Sequence, residues 1–424
     1  MYRKFGRRPI MLFSLICYCA GLIGASQATS YGGLMAARII HAFGSGVCEA
    51  LPVQLVNDIF FLHERGQRLG YYTVALCLGS TGPLYAGYML SGGYSWRLFF
   101  YVEFAFAFGL LIFAFFVVEE TTYNRNPLLV ADVNIHDGMP EPDTVDKPSH
   151  SSASTEVELQ PAALKRKTFA QQLKFWGVYE RDSDFFVMMA RSFTYFLVPH
   201  VFWVVATYGI YIGLGALTFN YITPLKVTAP PYNWSEVNSG LIAIATIIGY
   251  ALAIPFNSSS DRLAARLTKK NNMIREAEMR LGVCIPAMFI APAGLIVFGI
   301  TAQKNLHWVG YFAGVAMTQW GSYFYFTFVL SYALDSYTTN TSEMLIAMNL
   351  GKQAISFGMG IDIIQWVEEN GYAVMIAGVF CGVLLANNLA LIPFMLYGKS
   401  IRAFMARTWL AKVHKDSVKE VMTA

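Results

Sequence analysis

Ten times along this chain an apolar stretch of about 20 residues or more is closed off by polar or basic ones. The stretches run Pro9–Thr29, Leu34–Val56, Gly70–Gly92, Leu98–Val118, Pro199–Thr223, Val237–Phe256, Leu281–Ala302, Val309–Leu334, Met344–Trp366 and Gly371–Leu396. At 1.5 Å per residue, a helix of that length crosses the ~30 Å hydrocarbon layer of a bilayer. In hydrocarbon each backbone polar group needs an internal partner, and a helix supplies all of them within one segment. Composition agrees: 55% of residues are hydrophobic and 14% charged, where a soluble domain carries roughly a quarter charged. The expected fold class is therefore an all-α membrane protein with ten transmembrane helices. A net charge of +4 gives no reason to expect a nucleic-acid partner.

The basic residues orient these spans. With the N-terminus in the cytoplasm, 26 of the 31 Lys and Arg fall in inside segments and three, Arg97, Lys226 and Lys304, fall outside. The remaining two, Arg38 and Lys352, lie within spans. That bias is the positive-inside pattern and requires an even number of crossings, so both termini are expected to be cytoplasmic. Among the Asn-x-Ser/Thr sequons at Asn233, Asn257 and Asn340, only Asn233 lies in an outside loop, which makes it the glycosylation candidate. The basic start and Ser26-Gln27-Ala28 also fit a signal peptide, but an apolar run of about 20 residues exceeds the usual length of one. All six cysteines sit in apolar stretches and are expected to be free thiols.

The spans divide unevenly. Four precede a polar stretch, 119–198, whose middle from Asn124 to Pro161 is rich in Pro, Asp, Glu and Ser and is expected to be disordered. Within it Phe169–Tyr179 has the pattern of an amphipathic surface helix. Six spans follow, 199–397, then a basic tail, 398–424. In the second half two spans precede a basic loop, Asp261–Arg280, and four follow it; in the first half four spans follow the basic segment Arg3–Arg8. The halves align if the first, 1–118, lacks its initial two helices; a ten-span protein with unequal halves is the alternative. Repeated helical halves with a solute site between them are the plan of secondary transporters.

Three motifs fall in order on this frame. Phe5-Gly6-Arg7-Arg8-Pro9 precedes the first span, Arg38-Ile39-Ile40-His41-Ala42-Phe43-Gly44-Ser45-Gly46 lies in the second, and Gly79-Ser80-Thr81-Gly82-Pro83-Leu84-Tyr85-Ala86-Gly87 in the third. Together they resemble the loop, fourth-span and fifth-span signatures of the major facilitator superfamily, and the chain is similar to fungal drug:proton antiporter-type members with twelve spans. Arg3 stands where the loop signature has an acid, and Ala86 where the fifth-span signature has a glycine. The resemblance implies a two-bundle helical fold, alternating access and a midplane site. It also implies proton-coupled export of small organic compounds and a cytoplasmic latch built from Gly6, Arg7, Arg8, Asp261, Arg262 and Arg266. Gly82-Pro83 removes a backbone donor and lets a helix bend, while Gly79 and Gly87 admit a close neighbour; ordinary bundle packing also accounts for such small residues.

Candidate pathway residues follow from polar groups inside spans. An arginine in a span costs ~2.5–3.5 kcal/mol on insertion scales and should face protein or water. Arg38, Ala42, Ser45 and Glu49 share one helical face, and Glu49, at mid-span, is the candidate proton site; the bland reading of Arg38 is snorkelling to the interface. The ninth span carries a polar stripe of Asn349, Lys352, Gln353 and Ser356. The fifth offers Tyr208, Tyr211 and Asn220, and the eighth Gln319, Tyr323 and Tyr325. Aromatic faces suit flat organic solutes, and packing or interfacial belts are the alternative for each. Asp335 and Glu343 flank a short inside loop and are expected to serve as latch partners. His41, His63 and His200 are isolated and read as structural.

The chain has no phosphate-binding loop, metal-ligand spacing or nucleophile motif, so neither enzyme activity nor a cofactor or metal is expected. The partners expected are a small organic solute, protons and the lipid bilayer, with the chain a monomer in the plasma membrane or the vacuolar membrane. Proton-driven uptake of a nutrient or polyamine-like cation, a non-transporting sensor and an inactive truncated carrier are the rival readings.

Overall fold

The computed structural model describes residues 6–61, 64–79, 82–120, 185–336, 341–411 and 413–414. The expected disordered middle of the linker, the surface helix at Phe169–Tyr179, His63, Asn340 and the end of the tail lie outside the described residues, as do the side chains of Cys48, Glu49 and Pro83.

Helix is the only regular structure among the described residues. In the first part the helices are α1 (Arg7–Gln27), α2 (Tyr31–Ser45), α3 (Val47–Ile59), α4 (Arg65–Gly79), α5 (Gly82–Ser91) and α6 (Arg97–Val117). The second part opens with α7 (Phe185–Thr194), inside the stretch expected to be linker, and α8 (Pro199–Thr228). There follow α9 (Ile242–Ala253), α10 (Ser259–Lys270), α11 (Ile285–Lys304), α12 (Val309–Phe324), α13 (Leu330–Ser336), α14 (Thr341–Ile361), α15 (Ile363–Asn370), α16 (Cys381–Leu389) and α17 (Leu391–Met405).

Local sequence sets the ends. Gly6 holds φ 95, a left-handed conformation that favours glycine, and starts α1. The Ser30 hydroxyl accepts the Gly33 N–H at 3.2 Å and caps α2. Pro199 opens α8, where its missing N–H costs nothing.

Seven helical runs among the described residues are long and apolar enough to cross a membrane: Arg7–Gln27, Tyr31–Val56, Arg97–Val117, Pro199–Thr228, Glu236–Lys270, Ala277–Lys304 and Ala373–Met405. The other three expected spans are helical but differ in kind. The third is described as helix on either side of residues 80–81, as α4 and α5. The eighth (α12 to α13) and ninth (α14) carry the polar residues singled out above, which lowers their hydropathy.

Burial is uneven. α1 packs on α2 and, through two small apolar clusters, on α6: Leu12, Leu15 and Ala114 form one and Cys19, Leu22 and Ala107 the other. The main core lies in the second part, and α3 and α4 join it through Val53, Leu69, Val74 and Cys77. Phe106, Phe113 and Phe116 of α6 face outward, as expected of a surface solvated by lipid tails.

Candidate functional site

The two parts meet around a cavity of about 360 Å³. Val53 of α3 and Tyr72, Thr73, Leu76 and Cys77 of α4 form one wall. The other comes from Tyr208, Tyr211, Ile212 and Ala216 of α8, Thr246 and Tyr250 of α9, Gln319 of α12, Phe326, Leu330 and, from α14, Leu345, Met348, Asn349 and Lys352. Two stretches of π-helix, Tyr211–Leu217 and Tyr325–Val329, border it, and such widened turns recur at functional sites. They touch through their aromatics: the Tyr211 ring lies 5.2 Å from Tyr325 and 5.9 Å from Phe326.

Polar groups converge on this space in a fixed arrangement. Lys352 is 5% exposed, and its Nζ lies 5.9 Å from the Tyr208 ring centroid. That ring stacks on Phe326 at 4.5 Å, and its hydroxyl donates to the Phe326 carbonyl. Across the cavity the Tyr250 hydroxyl donates to Gln319 Oε1 at 2.9 Å and lies 2.9 Å from Ser322 Oγ. Asn388 Nδ2 donates to the Tyr211 hydroxyl at 3.0 Å. The Tyr208, Tyr211 and Tyr250 rings are thus each held by a hydrogen bond at the hydroxyl where they line the cavity.

Of the pathway residues expected from sequence, Tyr208, Tyr211, Gln319, Asn349 and Lys352 line the cavity. Tyr323 does not: its hydroxyl bonds Asn257 Oδ1 beside Gly70, between α4 and the second part. Asn220 and Gln353 point outward and are exposed. Arg38 is exposed as well, its guanidinium 5.9 Å over the Phe100 ring of α6, because the face of α2 that carries it turns away from the cavity. Glu49 lies in α3, with its side chain outside the described residues. Sequence reasoning passed over Tyr250, Thr73 and Cys77. All three sit in apolar runs where nothing local separates a cavity hydroxyl or thiol from packing.

A second arrangement joins the parts at the end where α4 and α10 both begin. Asp261 Oδ2 accepts the backbone N–H of Gln67 at 3.0 Å, in the first turn of α4. Its Oδ1 accepts from Arg280 Nη1 at 2.7 Å and lies 4.0 Å from Arg275. Arg280 is fully buried, with Nε 2.5 Å from Asp335 Oδ2. Arg262 and Arg266, the expected latch cations, are exposed on α10; the short 3₁₀ segment Ala277–Cys284 brings Arg280 back to Asp261 instead. The corresponding point of the first part is capped differently: the backbone N–H groups of Arg7 and Arg8 donate to the Glu120 carboxylate at 3.2 and 3.1 Å. The helix N-terminus favours an anion there, and the buried Arg8 side chain donates to the Phe115 carbonyl at 2.7 Å.

Among the glycines of the third-span motif, Gly87 is the one with a close neighbour. Around Gly79 nothing stands close enough to require a glycine, and at Gly82 a methyl would make only ordinary contact with Phe99. At Gly87 a methyl would come within 3.1 Å of the Val237 carbonyl, so this residue does permit a close neighbour. Asn233 is exposed in the turn after α8, whereas Asn257 is 3% exposed and bonded to Tyr323. The cysteines described, Cys17, Cys19, Cys77, Cys284 and Cys381, form no disulfide among the described residues.

Apolar helices of membrane-crossing length, gathered around a cavity walled from both parts of the chain, define a multi-pass membrane transporter. The sequence profile of the Major Facilitator Superfamily matches residues 1–361, and the chain belongs to that family. It is 22% identical to an uncharacterized MFS-type transporter of Schizosaccharomyces pombe, over 96% of this chain and 74% of that protein. A probable drug/proton antiporter of Saccharomyces cerevisiae is also 22% identical, over 96% of this chain and 73% of its own length. Among solved structures the human organic anion transporter MFSD10 superposes with a TM-score of 0.55 at 15% identity, covering 91% of this chain and 77% of that one; this likeness concerns the fold.

Proposed function

We propose that this chain is a proton-coupled secondary carrier that exports small organic compounds from the cytoplasm. In this reading 1–118 and 199–397 are two helical bundles, joined by a cytoplasmic linker at 119–198 and followed by a cytoplasmic tail, 398–424. They rock about the cavity, opening it to each side of the plasma membrane in turn. The observation that carries the reading is the cavity itself. It draws one wall from α3 and α4 and the other from α8, α9, α12 and α14, so any rocking of the two sets opens or closes it. Its wall suits a flat aromatic solute: rings from Tyr208, Tyr211 and Phe326 and a donor from Lys352. Lys352 is the one charged residue among the described lining side chains, which weighs against a polyamine-like cation. Proton coupling is supported by the likeness to a probable drug/proton antiporter, with Glu49 as the proposed coupling acid and the Asp261–Arg280–Asp335 cluster as the latch of the closed cytoplasmic side.

The test is flux in proteoliposomes under an imposed pH gradient, with fluorescein as an anionic aromatic probe and ethidium as a cationic one. The expected result is gradient-driven movement of fluorescein that Lys352→Met reduces at least about tenfold, the loss of one charge-assisted contact. Glu49→Gln should abolish the pH dependence and spare insertion. Absence of flux for both probes with binding intact would replace the carrier reading by that of a sensor.

A further inference from the structure

Three helices of the first part meet at a cluster of titratable side chains that the cavity does not use. The Tyr18 hydroxyl of α1 donates to Glu103 Oε1 of α6 at 2.5 Å. Nε2 of His41, on α2, lies 3.8 Å from the same oxygen. The rings of Tyr18 and His41 are 4.3 Å apart. A phenol, an imidazole and a carboxylate from three different membrane helices therefore share one point.

The sequence builds this meeting by close approach. Ser14, Tyr18 and Gly21 lie on one face of α1, and His41 and Gly44 on the facing side of α2. A methyl at Gly21 would collide with the His41 backbone, and Ser14 Oγ donates to the Gly44 carbonyl at 2.5 Å. With α1 and α2 clamped there, the His41 ring lies against Tyr18 and its Nε2 faces Glu103 of α6. Glu103 lies six residues after Arg97 on α6, within the membrane-crossing run. A carboxylate at such depth needs compensating partners.

We infer that the His41–Glu103 pair is a proton-binding site of this protein, distinct from the cavity, and that Tyr18 is its positioning residue. The proton resides on His41, where the imidazolium faces the Glu103 carboxylate. That carboxylate also accepts the Tyr18 hydroxyl, and the Arg38 guanidinium places a further positive charge near it. Arg38 lies one turn before His41 on α2 and opposes a second positive charge; Glu103 favours it. The other titratable groups on these helices are engaged elsewhere: Cys19 of α1 is packed against Ala107, the Tyr101 hydroxyl of α6 accepts from Gln27 Nε2 at 2.6 Å, and Arg97 donates to the Ala28 carbonyl at 3.1 Å. The side chains of Glu49 and Asp58 on α3 lie outside the described residues. Binding the proton ties α2 to α6 through an ion pair. Releasing it removes that pair and leaves Glu103 with the Tyr18 hydroxyl and the more distant Arg38 charge, so the site links proton occupancy to the spacing of helices behind the cavity wall. For its use in transport the inference rests on the proton-coupled reading, but its titration needs no solute, so the two fail separately.

The experiment is proton uptake by the full chain in lipid nanodiscs, read with a pH-indicator dye between about pH 8 and pH 5, where histidine ordinarily titrates. His41→Gln should lose one proton from the uptake. Glu103→Gln should keep that proton but lower its midpoint by about one unit or more, the effect of removing an opposite charge at this range. An uptake curve unchanged by His41→Gln, or a His41 midpoint unmoved by Glu103→Gln, overturns the site. Should either variant fail to fold, imidazole nitrogen-15 spectra of the wild-type and Tyr18→Phe chains decide. Tyr18→Phe keeps the ring and frees a lone pair of Glu103 for His41, so the midpoint of one histidine should rise. A set of histidine midpoints identical in the two chains overturns the inference.

Discussion

Asp261 and Gln67 are 194 positions apart in sequence, and the carboxylate of one accepts the backbone N–H of the other at 3.0 Å. The contact places a negative charge at the N-terminus of α4, where the helix dipole and free N–H groups favour it. It is completed by Arg280, whose buried guanidinium spans Asp261 and Asp335. One carboxylate thus ties the first part of the chain to a charge cluster of the second.

Substituting Gly66 tests this tie without removing any charge. A methyl there would sit 2.7 Å from Arg280 Nη1 and 2.7 Å from Asp261 Oδ2, so Gly66→Ala should push the cluster off the helix end. Asp261→Asn removes the charge directly and leaves Arg280 with one carboxylate. Breaking a buried pair costs about 3 kcal/mol or more, and each variant should lower the midpoint of thermal unfolding in detergent. Because both act on one cluster, the double variant should lose less than the sum. Additive losses would show that Gly66 and Asp261 act independently.

The latch also shows what could be read from sequence. Asp261 was legible because it follows an apolar span and precedes a basic run. Its partner was not: Arg262 and Arg266 are nearer in sequence, yet a helix carries them to the exposed side, and Arg280 returns only through a 3₁₀ turn. The same physics governs the cavity. Lys352 and Asn349 stood out because charge and amide are rare in apolar helices. Tyr250 did not, since a tyrosine in an apolar run reads equally well as belt or core. Arg38 shows the opposite failure: its chemistry was conspicuous, but the rotation of α2 about its axis, fixed by packing on α1, is not written in the residue itself. His41 looked isolated because Glu103 and Tyr18 arrive from other helices.

Tyr250→Phe separates positioning from packing in the cavity. The ring stays, and the hydroxyl that holds Gln319 and Ser322 is lost. Ser322 still reaches Gln319 Oε1 at 3.1 Å, so stability should fall by only ~1 kcal/mol, the net value of one hydrogen bond. Apparent affinity for a transported probe should weaken severalfold with maximal rate retained. A lower rate at unchanged affinity would remove Tyr250 from solute positioning.

Asn233 reports orientation. It is exposed, with φ 48, in the turn between α8 and the helix at Glu236–Ser239. If that turn faces the lumen during synthesis, the protein made in a glycosylating cell should shift in mobility on glycan removal, and Asn233→Gln should abolish the shift. Asn257→Gln should leave the shift untouched, because that side chain is buried against Tyr323. A shift that survives Asn233→Gln would place a different sequon, and hence a different loop, on the outside.

His414 gives the chain's tail a pH-dependent attachment. Its ring stacks on Tyr195 at 4.2 Å with an interplanar angle of 7°, and its Nε2 lies 2.9 Å from Thr194 Oγ1 at the end of α7. Burial, with the Arg191 guanidinium nearby, holds the imidazole below its ordinary value of 6.5. The docked tail therefore prefers the neutral ring, while the undocked tail takes up a proton more readily. A group with a depressed pKa stabilises the docked state fully above the undocked value; that contribution is lost as pH falls through the docked one. Hydrogen exchange around His414 should accordingly be slow at neutral pH and quicken as pH falls below about 6.5, after correction for the intrinsic rate. His414→Phe keeps the stacking ring without the titration, so its protection should no longer respond to pH in this range. Protection that changes equally in the two chains would assign the effect to another group.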